Sequence, residues 1–302
     1  MRNALLVGLG AGLVVYGTIQ YWVNKTVATE LDRKLTAIEQ QRGVKVNYGS
    51  LDAGLLQDKV TLQGVIVEDA LQRQIVSAKQ VSLEGYQSSE ISELTKVTFH
   101  GVKLSEFAKR QVTDVPFLLL DSQIDFTSSV SFERSTSKSE ISAYFAARDI
   151  LAVSLSIQMH NMTPLMEASH HLMLQPSDTG PAQLSALQSK AQEAFKLAQL
   201  HGMQLSVENQ GQLRQLFTQL LLRSGLDRVS FYQMLETQLD GAQMAQRSKT
   251  AVLAFAHGLQ RLDMSLQPPK GTSMGVLSEQ IDMLKGEPEV FADYVNLQIK
   301  GQ

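Results

Sequence analysis

The sequence predicts an α+β fold: an N-terminal transmembrane helix, a curved antiparallel β-sheet, an inserted helical segment and a returning C-terminal strand. Three observations predict it. Residues 44–175 read as successive alternating segments rich in Val, Ile, Thr and aromatics, broken at Gly, Asp and Ser. Residues 176–258 switch to apolar stripes at helical spacing. Residues 259–302 then give a strand, short helices and a last strand, so helices and strands are segregated and do not alternate.

The first segment, residues 1–24, contains "ALLVGLGAGLVV", which has the look of a strand entering a phosphate-binding glycine loop. The dinucleotide fingerprint G-x-G-x-x-G requires a third glycine where Leu13 stands, and Gly12 is one residue early. The apolar run also continues to Val23 without a charge, and the segment around Glu30 has helical character. A membrane anchor fits better. Ala4 to Val23 are 20 uncharged residues, enough as a helix to cross roughly 30 Å of hydrocarbon. Tyr21 and Trp22 close it where amphipathic aromatics lie, and Gly8 and Gly12 form a small-xxx-small pair. The apolar core is long for a cleaved signal peptide and no small-x-small site follows, so a retained anchor is expected. Arg2 precedes the span and Lys25, Arg33 and Lys34 follow it, a count that points the body toward the cytoplasm; large domains translocate largely regardless of charge, so the count does not decide the orientation.

Residues 25–43 carry Val27, Leu31, Leu35 and Ile38 on one helical stripe, ended by Gly43 in the position after a helix that glycine favours. The sheet region follows, with strands or hairpin arms expected in "VKVNYGSL", "DKVTLQGVIVED", "QIVSAKQVSLEGY", "TKVTFHGVKL", "FLLLDSQIDFTSSVSFER", "SEISAYFAARDI" and "LAVSLSIQMHNM". Within it, "KVTLQGVIV" at 59–67 and "KVTFHGVKL" at 96–104 are an internal repeat 37 residues apart. "IQMHNMTPL" at 157–165 is a looser third copy, with Asn161 in the place of the glycine. Glycine inside a strand marks a bulge or a close backbone approach, and asparagine tolerates positive φ nearly as well.

In the helical segment, Pro181 stands at a first helical position before Leu184, Leu187, Ala191, Phe195 and Ala198, and "MQLSVEN" reads as a short strand. Leu213, Leu216, Phe217, Leu220 and Leu221 form a full apolar face stopped by Gly225. Residues 227–258 read as one long helix or two joined near Asp240-Gly241. "RLDMSLQP" is a returning strand, "MGVLSEQIDMLKG" a short helix, and "EPEVFADYVNLQIKG" a helix running into the last strand.

Composition limits the function classes. The 302 residues are 43% hydrophobic and 19% charged, enough apolar material for a large core. A net charge of −3 without a Lys/Arg cluster argues against a nucleic-acid partner. The absence of cysteine excludes disulfides, thiol catalysis and cysteine-ligated metal. His100 and His160 hold equivalent places in the repeat and raise a metal pair, but no acidic residue stands at a regular spacing beside them. The adjacent His170 and His171 diverge on a helix. Asp121 and Asp125, four residues apart on an expected strand, are an acid/base pair or solvated positions. "PPKGTSMG" has phosphate-loop letters with Lys270 ahead of Gly271, the wrong order, and no G-x-S-x-G is present. No cofactor, metal or catalytic set is expected, and the protein is read as no enzyme.

The apolar run, the short helix, "VNYGSLDAGLLQDKVTLQGVIVED" and "IVSAKQVSLEG" together resemble the opening of AsmA-like bacterial envelope proteins. The closing "RLDMSLQPPKGTSMGVLSEQIDMLKGEPEVFADYVNLQIKG" is similar to their ends. The likeness covers residues 1–105 and 259–302; the helical insert and the short length depart from it, which puts a long lipid-conducting groove in doubt. The resemblance implies a single-pass inner-membrane protein with its C-terminal domain in the periplasm, acting in envelope assembly or lipid handling. One strand face, with Val60, Leu62, Val81, Leu83, Val97 and Phe99, then either contacts phospholipid acyl chains or packs as core beneath the helices. The alternative is an assembly factor that docks another envelope protein on the helical insert through Leu213, Phe217 and Leu221.

Overall fold

The computed structural model describes residues 35–302 except 37–38, 41–42, 55–58, 86–89, 176–179, 243 and 285. The expected anchor, with Gly8, Gly12, Tyr21 and Trp22, lies outside the described residues. Within them, no helix is long and apolar enough to cross a membrane.

The described elements are β1 (Lys45–Asn47), β2 (Ser50–Gly54), β3 (Lys59–Glu68), β4 (Gln74–Glu84), β5 (Leu94–Leu104), α1 (Glu106–Gln111), α2 (Phe117–Asp121), β6 (Ile124–Glu133), β7 (Lys138–Ala147) and β8 (Leu151–His160). They continue as α3 (Thr163–Met173), α4 (Pro181–Leu197), β9 (Gln199–Asn209), α5 (Leu213–Ser224), α6 (Arg228–Gly241) and α7 (Gln246–Gly258). The chain ends with β10 (Arg261–Leu266), α8 (Met274–Met283), α9 (Pro288–Tyr294) and β11 (Gln298–Gly301). The fold is α+β. Its strands form one 11-stranded sheet in the order β1-β3-β4-β5-β6-β7-β8-β9-β10-β11, with β2 also pairing β3. By density of contacts the chain divides into two units, one holding residues up to Ser129 with Ala143–Leu151 and Gln210–Gln212, the other holding the rest.

In the first unit the internal repeat has a structural meaning. Its two copies are β3 and β5, and both pair antiparallel with the strand between them, β4, in the same register. Val60 and Val97 each face Leu83, Leu62 and Phe99 each face Val81, and Lys59 and Lys96 each face Glu84. Directly opposed residues share a face, so one apolar row after another is built from a repeat, its common partner and the second copy.

The repeat glycines interrupt the two-residue alternation. Gly64 and Gly101 have φ of +60° and +69°, the left-handed region that favours glycine. Leu62 and Val65 nevertheless both enter the apolar cluster, as do Phe99 and Val102 on β5 and Val81 and Ala78 on β4. All three strands exchange the parity that faces the core at one line, so the β3–β4 and β4–β5 registers continue across it. Of the two roles expected for these glycines, a bulge or a close approach, the register shift of the β3–β4 pair lies elsewhere, at Val67/Glu68, and the glycines mark this coherent crease. The edge changes at the same line, where β1 gives way to β2 and Gly49 N–H donates to Gln63 O at 2.8 Å. Ahead of the sheet, Gly43 (φ +63°) donates to Glu39 O at 2.9 Å and ends the preceding helical turn.

One stretch departs from the expected strand. Phe117–Asp121 forms α2, because the Pro116 carbonyl accepts from both Leu119 N–H (3.0 Å) and Leu120 N–H (3.2 Å).

In the second unit β9, β10 and β11 are antiparallel neighbours. "MQLSVEN" belongs to the longer β9, so a strand runs through the segment read as helical. The 227–258 stretch is two helices, with α6 ending at Gly241 and α7 beginning at Gln246. α7 lies against β11 so closely that a Cβ on Gly301 would meet the Ala251 carbonyl oxygen at 1.8 Å. α3 packs on α4, and α4 on α8.

Candidate functional site

The crease places a polar cluster on the first unit. Beyond the outward row Gln63, Gln80 and His100, the row Gly64, Lys79 and Gly101 also lacks a place in the core. Without a side chain at Gly101, the stem of Lys79 lies over its Cα; a Cβ there would meet Lys79 Cγ at 2.7 Å and Gln123 Nε2 at 3.0 Å.

Asp125, on β6, closes this arrangement. Its Oδ1 accepts from Gly101 N–H at 2.7 Å and lies 2.8 Å from His100 Nδ1. The Arg148 guanidinium stands 3.8 Å from Oδ2 and donates to Gln123 Oε1 at 3.2 Å. Arg148 N–H also donates to Gln123 O at 2.9 Å, so the β7–β8 turn is fastened to the start of β6. Gln123 Nε2 is buried with no hydrogen-bond acceptor among the described residues. A carboxylate on Nδ1 fixes the imidazole's tautomer and aims Nε2 outward, the second half of a nucleophile-activating pair or an oriented acceptor. Among the described residues no hydroxyl hydrogen-bonds to that imidazole; the cluster consists of the Asp125 carboxylate with His100, Gly101 and Arg148 about it.

Asp121 does not share a strand face with Asp125. It is the last residue of α2 and pairs with Lys109 at 2.8 Å. Asp121, and then Glu106, hold the Lys109 ammonium above its ordinary range. The two carboxylates, four residues apart, therefore have separate partners, Lys109 for Asp121 at the end of α2 and His100 with the Gly101 N–H for Asp125 on β6.

His100 and His160 each have a partner of their own. His160, in the second unit, stacks on His201 of the neighbouring strand with centroids 4.7 Å apart and planes at 9°. Burial first, and then His201, Lys138 and Lys270, depress its pKa below the ordinary imidazole value. Asn161 follows at φ +54°, as the glycines do in the other copies, and its Nδ2 donates to Leu197 O at 2.9 Å. His170 and His171 have ring centroids 6.4 Å apart. Among the described residues no three His, Asp or Glu side chains form a metal-binding group.

The apolar candidates are placed as follows. Leu62, Val81, Leu83, Val97 and Phe99 are interior residues of the first unit, packed with Val46 and Leu35; Leu83 and Val97 are each 1% exposed, and Val60 is half-buried beside them. Leu213 and Leu221 are buried in the second unit. Phe217 is half-buried, its ring edge-on to Phe231 at 4.9 Å, while Tyr232 stacks on His257 at 4.0 Å and donates to Ala256 O at 3.0 Å. That aromatic chain ties α5 to α6 and α7. The apolar side chains presented outward are others: Leu220 and Leu222 on α5 and Val229 on α6, with Leu222 76% exposed.

No model of a known protein family matches the chain, and no curated protein matches it.

Proposed function

We propose that this chain is a membrane-anchored, periplasm-facing protein of the bacterial envelope that works by docking a partner envelope protein. The anchor and the compartment rest on the uncharged run from Ala4 to Val23 and on the AsmA-like segments of the sequence. The observation that carries the docking reading is the pair of outward apolar side chains Leu222, at the end of α5, and Val229, at the start of α6, on either side of the short turn at Gly225–Asp227. Two outward apolar side chains at one helix–helix corner are what a partner protein would cover. The docking residues are therefore the neighbours of the stripe Leu213, Phe217 and Leu221, which holds α5 in place beneath them.

A second reading, lipid handling by the sheet face, keeps support from the apolar row Val60, Leu62, Val81, Leu83, Val97 and Phe99. A lipid reaches that row only if the interior of the first unit opens.

A photo-crosslinking residue in place of Leu222 in the full chain, irradiated in cells, tests the proposal. The expected result is one discrete envelope-protein adduct that disappears with Val229→Asp while the far-UV spectrum is unchanged. No protein adduct, together with stoichiometric phospholipid in native mass spectra of the full chain, transfers the assignment to lipid handling. A C-terminal reporter found in the cytoplasm sinks both readings.

A further inference from the structure

One end of the second unit gathers four basic side chains from four separate places in the sequence. His160 ends β8 and His201 lies near the start of β9, where the two imidazoles stack. Lys138 opens β7, and its neighbour Ser137 is fastened to the residues just after His160. Met162 N–H donates to Ser137 O at 3.0 Å, Thr163 N–H donates to Ser137 Oγ at 2.9 Å, and the two hydroxyls lie 2.7 Å apart. Lys270 sits in the loop after β10, which is fastened to the residues just before His201. Leu200 N–H donates to Thr272 O at 3.2 Å, and Gln199 bridges to Ser273.

The field there is one-sided. The charged or titratable groups that act on His160 are His201, Lys138 and Lys270, every one of them basic. Glu133, at the end of β6, is the anion that reaches Lys138, and it keeps its charge while Thr136 and Ser135 donate to its carboxylate. On α4, Lys196 stands beside Leu197, whose carbonyl accepts from Asn161, and adds no negative charge. Around the imidazole pair the basic groups outnumber this one carboxylate, and a surplus of positive charge attracts an anion.

We propose that Lys138, His160, His201 and Lys270 form a binding site for a phosphate-type oxyanion, either a free anion or a phospholipid headgroup. Both lysines are exposed and bring fixed charge. The imidazoles bring donors that appear on demand. Without an anion, burial and the surrounding cations favour the neutral His160 ring; with one, a proton on that ring gains a charge-assisted hydrogen bond. Binding is therefore coupled to proton uptake, and affinity rises by up to about tenfold for each unit that the pH falls. The site owes nothing to the docking surface on α5 and α6.

The test follows the histidine Cε1–H resonances of the full chain in detergent micelles as inorganic sulfate, whose charge is constant in this range, is added at pH 6 and pH 8. The expected result is saturable movement of the His160 and His201 signals, at least about tenfold tighter at pH 6, and abolished by Lys138→Gln with Lys270→Gln. Both substitutions fall on exposed side chains, and an unchanged far-UV spectrum shows that the variant is folded. If sulfate has no effect but the same two signals move in nanodiscs containing phosphatidylglycerol and not in phosphatidylcholine alone, the headgroup is the ligand. Signals that move in neither medium, or that move equally in the double variant, overturn the site.

Discussion

His100 and His160 occupy matching places in related stretches of sequence, and the chain has given them opposite surroundings. Each stands within a repeat copy and is followed by a residue at positive φ, Gly101 at +69° and Asn161 at +54°. His100 meets the Asp125 carboxylate, while His160 meets another imidazole and two lysines. The lesson is that a local backbone device repeats easily, whereas the charge around it is set by whichever strand arrives next.

That contrast can be broken at its backbone. Gly101→Ala is expected to cost about 2 kcal/mol, because the added Cβ meets Lys79 and Gln123 and the residue must keep a positive φ. Urea unfolding of the first unit's sheet reads it, and a loss below about 0.5 kcal/mol would show that the crease tolerates a side chain. Next comes the carboxylate. Asp125→Asn is expected to destabilise by about 1 kcal/mol at neutral pH, since it removes the charge that accepts from His100 and from the Gly101 N–H. A stability equal to the parent's at every pH would mean that Asp125 is a bystander.

The third effect is smaller and runs with pH. The pKa of His160 is depressed by burial and then by His201, Lys138 and Lys270, so the native state binds fewer protons than the unfolded chain. Its contribution is full above the ordinary imidazole value of 6.5 and is lost as pH falls through the depressed folded value. Melting temperatures between pH 7.5 and 5 in low salt are expected to fall less steeply in His160→Gln than in the parent. Parallel curves would remove His160 from the account. Least is expected of Asn161→Gly, within about 0.5 kcal/mol of the parent, because relief of positive φ offsets the lost bond to Leu197 O. A larger loss would make that side-chain bond, rather than the backbone, the purpose of the asparagine.

What was legible in the sequence was local. The repeat could be read because its two copies keep the same letters, and the left-handed residues because glycine and asparagine are the types that tolerate that conformation. The late helices and the returning strands could be read from their periodicities. The polar clusters could not. Asp125 reaches His100 across a strand pair, and His201 reaches His160 past two intervening helices of sequence, so no spacing announces either. Amphipathicity also misleads about which apolar residues face outward. The stripe with Leu213 and Leu221 is the most regular on α5, and regularity is what a helix uses for its buried side. The outward Leu222 falls off the stripe and looks incidental in one dimension, while Leu220, which the periodicity puts on the stripe, is exposed as well.

The shared register of the two repeat copies has a kinetic consequence. β4 presents the same sequence of partners to both neighbours, so on contact energy alone β3 and β5 could exchange edges. Connection length decides between them. Residues 69–73 join β3 to β4 through a tight turn in which Gln72 N–H donates to Asp69 O at 2.9 Å and Arg73 pairs with Asp69. The link from β4 to β5 is longer, and closing it costs more entropy. The β3–β4 hairpin therefore forms first and offers β5 a single vacant edge, turning a degenerate template into an ordered sequence of events.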